Sequence, residues 1–379
     1  MRMDSQMVTI SRRTLMGAAG ATLAGLGLAA CTGEPAGTGS AGSASGSAPA
    51  AGEVVTTMRV GALQGPTGMG LIGLMDGTGA VEELAAANGT ELTEDSPVGK
   101  NPAGLDALAN SYEFTLAGSA DELAPQLIQG DLDVLCVPAN LAATLYQKTE
   151  GALTVLCVNT LGVLDIVEAG DTVHEIADLA GRTIYSAGRG STPQYALEYL
   201  LRENGVDPEA DVTIQWVSEH AECLAALQTD PSIVCMLPQP FATSALAQVE
   251  GARIALDLTE AWNETAQANG SDSQLITGVA VARRAFTDEF PSTVSEFLDA
   301  YAASVDFVND DPATAAQLIG AAGIIAAPVA EKAIPYCNIV CMTGDEMRSG
   351  LEGYLETLYD ADPESVGGAL PADDFYYEA

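Results

Sequence analysis

Two stretches one hundred residues apart follow a single pattern: ADELAPQLIQGDLDVLCVPANLAATLY at 120–146 and HAECLAALQTDPSIVCMLPQPFATSAL at 220–246. Each reads as an amphipathic helix, an acidic turn, a short apolar strand carrying a cysteine, a proline and a second helix. The match extends upstream. YEFTLAGS (112–119) corresponds to VTIQWVSE (212–219), both alternating as strands do. RVGALQGPTGMGLIGLM (59–75) corresponds to RTIYSAGRGSTPQYALEYLL (182–201), each a strand, a Gly-rich turn and a helix. Three successive segments in shared order read as an internal duplication, and the alternation of strand with helix implies parallel sheets covered by helices. The first copy carries an insertion at 85–111, polar and rich in Gly, Pro and Asn, which reads as an exposed loop.

The chain begins differently. SRRTLM sets Arg12 and Arg13 before an apolar run at 15–30 that is short and Gly/Ala-rich, the pattern of a twin-arginine export signal and not of a spanning helix. The run ends in LAAC, which resembles a bacterial lipobox and makes Cys31 the expected lipid anchor. Residues 1–30 therefore read as a lipoprotein signal peptide. The Gly/Ser/Ala/Pro-rich residues 31–54 read as a flexible tether that has too little apolar bulk to fold. The chain beyond residue 54 is long for one ordinary α/β domain and suits two lobes.

Charge narrows the partners. The chain has 14 basic and 52 acidic residues, a net charge of −38, and loss of Arg2, Asp4, Arg12 and Arg13 with the leader takes it to −40. Nucleic acid and anionic lipid headgroups are poor partners for such a surface, and an anionic ligand needs local positive potential. Seven cysteines leave Cys31 unpaired. Cys136, Cys157 and Cys235 lie inside apolar strand-like runs and read as small buried hydrophobes. Cys337 and Cys341, in CNIVC, either pair or bind a metal, although two cysteines without a nearby His are a weak metal signature.

The lipobox LAAC, the strand followed by GPTGMG, GDLDVLCVPANLAATLY, HEIADLAGRTIYSAGRGSTPQYAL and MLPQPFATSAL occur in an order that resembles the solute-binding lipoproteins of bacterial ABC importers. The likeness is greatest to the group that binds alkanesulfonates, nitrate, taurine and thiamine-pyrimidine precursors, and it covers residues 55–377. It implies an α/β fold, a two-lobed periplasmic-binding-protein-like clamshell (type II) with two crossings. Lobe 1 would be 55–168 with 278–379, and lobe 2 would be 169–277. It also implies a monomer lipid-anchored on the outer face of the cytoplasmic membrane, which hands a small-molecule solute to an ABC permease with a cytoplasmic ATPase and needs no cofactor. A lipoprotein that presents ligand to a membrane sensor kinase would have the same fold.

Ligands of open α/β sheets bind beyond the carboxyl ends of the strands. In the first copy those ends supply Gln64, Gly65, Pro66, Thr67 and Gly68, then Ala117, then Asn140. In the second they supply Gly188, Arg189, Gly190, Ser191 and Thr192, then His220, then Gln239. Most of these loops open a helix, so backbone N–H groups and a positive dipole end face the space between. The glycines permit close backbone approach or positive φ. Arg189 is the single basic residue in these loops and the natural counter-ion for an anion. Thr160 and Thr277 lie near the crossings and are placed to line the floor. GPTGMG lacks the Lys of a nucleotide loop. Ser191 with His220 can be drawn as part of a triad, but GRGSTP is not a nucleophile elbow, so a hydrolase or a pyrimidine-synthesis-type enzyme is the weaker reading and binding without catalysis the stronger.

Overall fold

The computed structural model describes residues 56–105 and 108–378, together with the backbone of Val8 and Thr9. The remainder of the expected signal peptide, the tether and Cys31 lie outside the described residues. In chain order the elements are β1 (Val8–Thr9), β2 (Thr57–Leu63), α1 (Pro66–Met69), α2 (Ile72–Gly77), α3 (Ala80–Asn88), β3 (Ser111–Ala117), α4 (Ala120–Gln129), β4 (Val134–Pro138), α5 (Ala139–Lys148), β5 (Leu153–Leu161), β6 (Leu164–Ala169), β7 (Thr183–Ala187), α6 (Thr192–Glu203), β8 (Thr213–Val217), α7 (His220–Thr229), β9 (Val234–Pro238), α8 (Phe241–Gln248), β10 (Ala252–Asp257), α9 (Leu258–Ala268), β11 (Ile276–Arg283), α10 (Arg284–Glu289), α11 (Pro291–Asp310), α12 (Pro312–Ala322), α13 (Ala327–Ala333), β12 (Ile339–Met342) and α14 (Gly344–Ala361).

The duplication becomes two sheets of matching topology. One has the order β1-β3-β2-β4-β11-β5-β12 and the other β10-β6-β9-β7-β8. Within them β3-β2-β4 and β8-β7-β9 are parallel trios with the first strand of each copy at the centre. Each trio is extended by an antiparallel strand, β11 beside β4 and β6 beside β9. β4 and β9 are buried along their length up to the closing proline, as continuous apolar runs between two covered faces must be. The covering helices start at sequence-encoded caps. Ser119 Oγ accepts from Asp121 N at 3.2 Å to open α4, and Glu219 with Glu222 forms a capping box that opens α7. The backbone of β1, within the expected leader, pairs antiparallel with Thr115 and Leu116 at one edge of the first sheet.

The chain passes between sheets at 162–163. The boundary expected at 168 falls inside β6, and all of β6 hydrogen-bonds within the second sheet, to β9 and β10. The start expected at 278 falls inside β11, which begins at Ile276. The apolar text from 153 to 167 hides the first passage, whose one mark is Gly162: a Cβ there would lie 2.2 Å from Thr259 Oγ1. The inserted segment has no helix or strand between 90 and 105 or between 108 and 110. It is held by the Asp76 carboxylate, which accepts from Gly99 N at 2.8 Å and Asn101 N at 2.9 Å.

After β11 the chain returns to the first sheet. Buried residues of α11, α12 and α13 share one apolar core with β2, α2 and α3. A second core runs from the first sheet through α14 into α6 and α9, so apolar packing spans both units. The tail is docked: Phe375 is fully buried, Tyr377 N donates to Val155 O at 3.0 Å, and Asp374 pairs with Arg284 at 3.1 Å while accepting from Tyr146 Oη at 2.5 Å. Asp373 pairs with Arg348. These two carboxylates are structural anchors.

Candidate functional site

The register brings the expected loops to facing edges. Leu63 lies opposite Ala117 and Gly278 opposite Pro138 in the first sheet; Ala187 lies opposite Val217 and Leu164 opposite Pro238 in the second. Both edges meet at the crossing. Gln239 N donates to Val163 O at 2.8 Å, Leu161 N donates to Asn338 O at 3.1 Å, and Asn338 Nδ2 donates to Gly162 O at 2.7 Å.

In the first wall Gln64 is exposed; its N donates to Ala117 O at 2.9 Å and its Nε2 to Gly323 O at 3.1 Å. Ala117 itself is buried. Gly65 is extended at φ 170°, a conformation open to any residue, and Pro66 fills the first position of α1. Thr67 is buried, and its carbonyl accepts from Asn159 Nδ2 at 3.3 Å. With four residues α1 has little dipole to offer an anion. Gly68 has a packing reason: a Cβ there would lie 2.4 Å from Leu63 O. Gly68→Ala is therefore expected to lower stability by about 2 kcal/mol through forced backbone displacement, read as a reduced urea midpoint at unchanged slope. An unchanged midpoint would mean the turn has room that this geometry denies.

The second wall is built differently. Gly188 (φ 87°) and Gly190 (φ 76°) take the left-handed conformation, and a Cβ on Gly188 would also meet Pro193 Cγ at 2.8 Å. Ser191 Oγ donates to Gly188 O at 2.7 Å, and Gly190 N donates to Gln194 Oε1 at 2.8 Å. The twelve-residue α6 starts here, so this loop has the longer helix behind it. Thr192 is buried, its hydroxyl 2.9 Å from that of Tyr354 on α14, a contact between the two units. Arg189 is exposed. Arg59, Arg202, Arg253, Arg283, Arg284 and Arg348 each pair with a carboxylate, and Arg189 is in none of those pairs.

The remaining expected residues divide. Gln239 is buried with its amide engaged at both ends: Nε2 donates to Asp165 Oδ2 at 2.7 Å, and Oε1 accepts from Thr243 Oγ1 at 2.7 Å. Thr160 is fully buried and donates to Asn159 Oδ1 at 3.1 Å. Both brace the crossing. Asn140 is half-buried, and its Nδ2 reaches Ser365 O at 3.4 Å. Thr277 is also half-buried. His220 opens α7 with its ring 5.3 Å from that of Phe241; its Nδ1 is buried without a partner, and burial lowers its pKa. Trp262, a candidate for ligand stacking by type alone, is fully buried between Tyr199 and Tyr354 and serves packing.

Sequence reasoning passed over Asn159, Asp165, Asn338 and Tyr354. Asp165 is buried and its pKa is pushed up to about 7, first by burial and then by Asp257, against the hydrogen bond from Gln239. The available signal was polar residues inside apolar text, NT in LTVLCVNTL and Asp in VLDIV. Among the described residues no three His, Cys, Asp or Glu side chains are arranged to hold a metal.

Two α/β units of matching topology, with their strand ends turned toward a shared crossing, define the class: a periplasmic-binding-protein-like fold. The chain belongs to the NMT1-like family, whose family model matches residues 78–323. Solved structures agree on the fold. An ABC transporter protein from Parabacteroides distasonis is similar at 20% identity and TM-score 0.64, over 85% of this chain and 99% of that one. The periplasmic aliphatic sulphonate binding protein of Escherichia coli is similar at 14% identity and TM-score 0.60, over 85% and 92%. The ligand-binding component of an ABC-type import system from Staphylococcus aureus, solved with zinc bound, is similar at 15% identity and TM-score 0.56, over 85% and 96%. No curated protein matches the chain. The resemblance read from the sequence thus holds for family and fold.

Proposed function

We propose that the protein is an extracytoplasmic solute-binding lipoprotein of an ABC importer. It captures a small polar or anionic solute, of sulfonate, nitrate or thiamine-precursor type, between the two facing edges. It is exported by the twin-arginine route, anchored through Cys31 on the outer face of the cytoplasmic membrane, and delivers solute as a monomer to a permease driven by a cytoplasmic ATPase. The observation that carries this reading is Arg189: a guanidinium outside the arginine–carboxylate pairs, in a positive-φ glycine loop at the start of a long helix, in a chain of net charge −38. There it supplies the local positive potential an anion needs. Gln64 and Asn140 add amide groups from the opposite edge. The structural neighbours from Parabacteroides distasonis, Escherichia coli and Staphylococcus aureus support the transport role by analogy of fold.

A thermal-shift screen of the mature chain against sulfonates, nitrate and thiamine precursors tests this. A true ligand at one hundred times its Kd should add about 2.7 kcal/mol of stability without being consumed. Product formation, or no shift with any member of the three classes, would count against the reading. Arg189→Ala should weaken an anionic ligand by roughly 10- to 30-fold, the effect of one charge-assisted bond, measured by calorimetry. Unchanged affinity would remove Arg189 from the site.

A further inference from the structure

One edge of the first sheet takes its partner from far up the chain. β3 is the outer strand of the parallel trio, and the backbone of Val8 and Thr9 lies antiparallel along it, with Val8 opposite Leu116 and Thr9 opposite Thr115. Left uncovered, β3 would present a row of unpaired N–H and C=O groups on a strand whose Tyr112, Phe114 and Leu116 belong to the core. The strand therefore has a reason to take a partner, and β1 shows which segment of this chain fits it. The connection permits the pairing. Thr56, just before β2, is beside the other end of β3: Ser111 N donates to Thr56 O at 2.9 Å, and Thr56 N donates to Asn110 Oδ1 at 3.2 Å. Residues 10–55 have to span only the length of β3. A link of that length costs little to close and keeps the segment at about millimolar effective concentration.

Charge favours the same segment. The lining of a groove of about 440 Å³ on one face of β3 includes Glu113, Thr115, Glu122, Asp131 and Arg59. Arg59 is committed to Asp133 at 2.7 Å, so the groove carries three further carboxylates. On the other face Glu296 accepts from Tyr112 Oη at 2.9 Å and from Ala109 N at 2.7 Å. Carrying β1 forward in the same register sets Ser11 opposite Glu113, Arg12 opposite Tyr112 and Arg13 opposite Ser111. Side chains of a strand alternate between faces. Arg12 then falls on the face of Tyr112 and Glu296, and Arg13 on the groove face, one diagonal step from Glu113 and within reach of a long side chain.

We propose that this edge is a docking site for the chain's own leader. Residues 8–13 add to β3 as an antiparallel strand, and Arg12 and Arg13 are drawn to the carboxylates on its two faces. The dock is autoinhibitory. It forms only once β2, β3 and α4 have assembled, and it withholds both arginines from any receptor that reads them until the strand is released. The autoinhibitory role rests on reading residues 1–30 as an export leader. The docking does not, and it is measured on the purified full-length chain without export machinery or solute, so either can fail without the other.

Limited trypsin digestion of the folded full-length chain, with mass spectrometry of the released N-terminal peptides, tests the dock. Cleavage after Arg12 and Arg13 should be about tenfold slower than in Thr9→Pro, which disrupts the added strand, and than in Glu113→Lys, which reverses a charge in the groove. The protection should weaken as salt is raised to about 1 M and should not depend on protein concentration, since the contact is intramolecular. Amide exchange at 113–117 should be faster in Thr9→Pro than in the unsubstituted chain. Equal cleavage rates in the three proteins, or unchanged exchange at 113–117, would overturn the proposal. Protection that grows with protein concentration would assign the strand to a second copy and overturn it as well. Thr9→Pro changes the added strand and not the fold it docks on, so it keeps the test decisive should Glu113→Lys fail to fold.

Discussion

Asp133→Ala should destabilise the protein by about 3 kcal/mol, a larger loss than any single change at the facing loops. The Asp133 carboxylate is 1% exposed and binds two arginines from two strands. Arg59 on β2 donates from Nε at 2.8 Å, from a terminal guanidinium nitrogen at 2.7 Å and from its backbone N at 3.0 Å; Arg283 at the end of β11 also pairs with it. The backbone adds Asp133 N to Arg59 O at 2.8 Å and Arg283 N to Asp133 O at 3.0 Å. One side chain thus pins β2, β4 and β11 at the edge opposite the ligand loops. Breaking a buried pair costs about 3–5 kcal/mol because the surviving charge is left uncompensated. The guanidiniums here are 34% and 25% exposed and can turn to water, which sets the expectation at the lower end. Arg283→Met alone should cost less, since Arg59 still satisfies the carboxylate. Urea unfolding of the three proteins checks the ordering. A loss under about 1 kcal/mol for Asp133→Ala would show that the triad is replaceable by solvent. Solute affinity should be unaffected, because the strand ends that carry Gln64 and Arg189 are at the other edge.

The same triad shows what the sequence conceals. Arg59, Asp133 and Arg283 carry no motif, and their meeting depends on a 224-residue return of the chain from β2 to β11. The parallel trios were legible because a duplicated pattern repeats its own grammar: the apolar runs of β4 and β9 and the capped helices α4 and α7 recur at matched positions. The crossing was legible only approximately. Leu153 to Val167 is apolar on both sides of Gly162, and a change of sheet inside one apolar run leaves no trace in periodicity. Among the site residues, Gly188 and Gly190 are glycine for the positive φ that the sequence suggested. Gly68 is glycine because Leu63 O stands in the way, a contact no local pattern records. Gln239, Thr160 and Thr192 share residue types with ligand-binding positions, yet their polar atoms hold the crossing and the α6–α14 contact. Residue type at a strand end is thus insufficient: partners from β6, β5 and α14 decide which polar groups remain free.

Asp165 brings the crossing under the control of pH. It is the second residue of β6, with Asp257 opposite it in the neighbouring strand and Gln239 donating from the position just after β9. Burial and Asp257 push its pKa up to about 7 from an ordinary value of 3.8. An unfolded chain loses this proton near pH 4, whereas the folded chain retains it until near pH 7. Folding therefore takes up a proton throughout that window, and stability falls as pH rises across it. A rise of that size corresponds to roughly 4 kcal/mol, fully lost above pH 7. Asp165→Asn should remove the dependence: the amide still accepts from Gln239 and presents donors, not charge, toward Asp257. The variant should melt on the order of 5 °C higher than the native chain at pH 8 and nearly level with it at pH 4.5. Melting curves between pH 4.5 and 8 decide the matter, and parallel pH profiles for the two proteins would show that Asp165 is already ionised in the folded state. Because Asp165 stands three residues beyond Gly162, ionisation places the resulting charge pair with Asp257 at the joint itself, so a pH-dependent loosening should appear first there, as faster amide exchange at 162–166 than in β4 or β9.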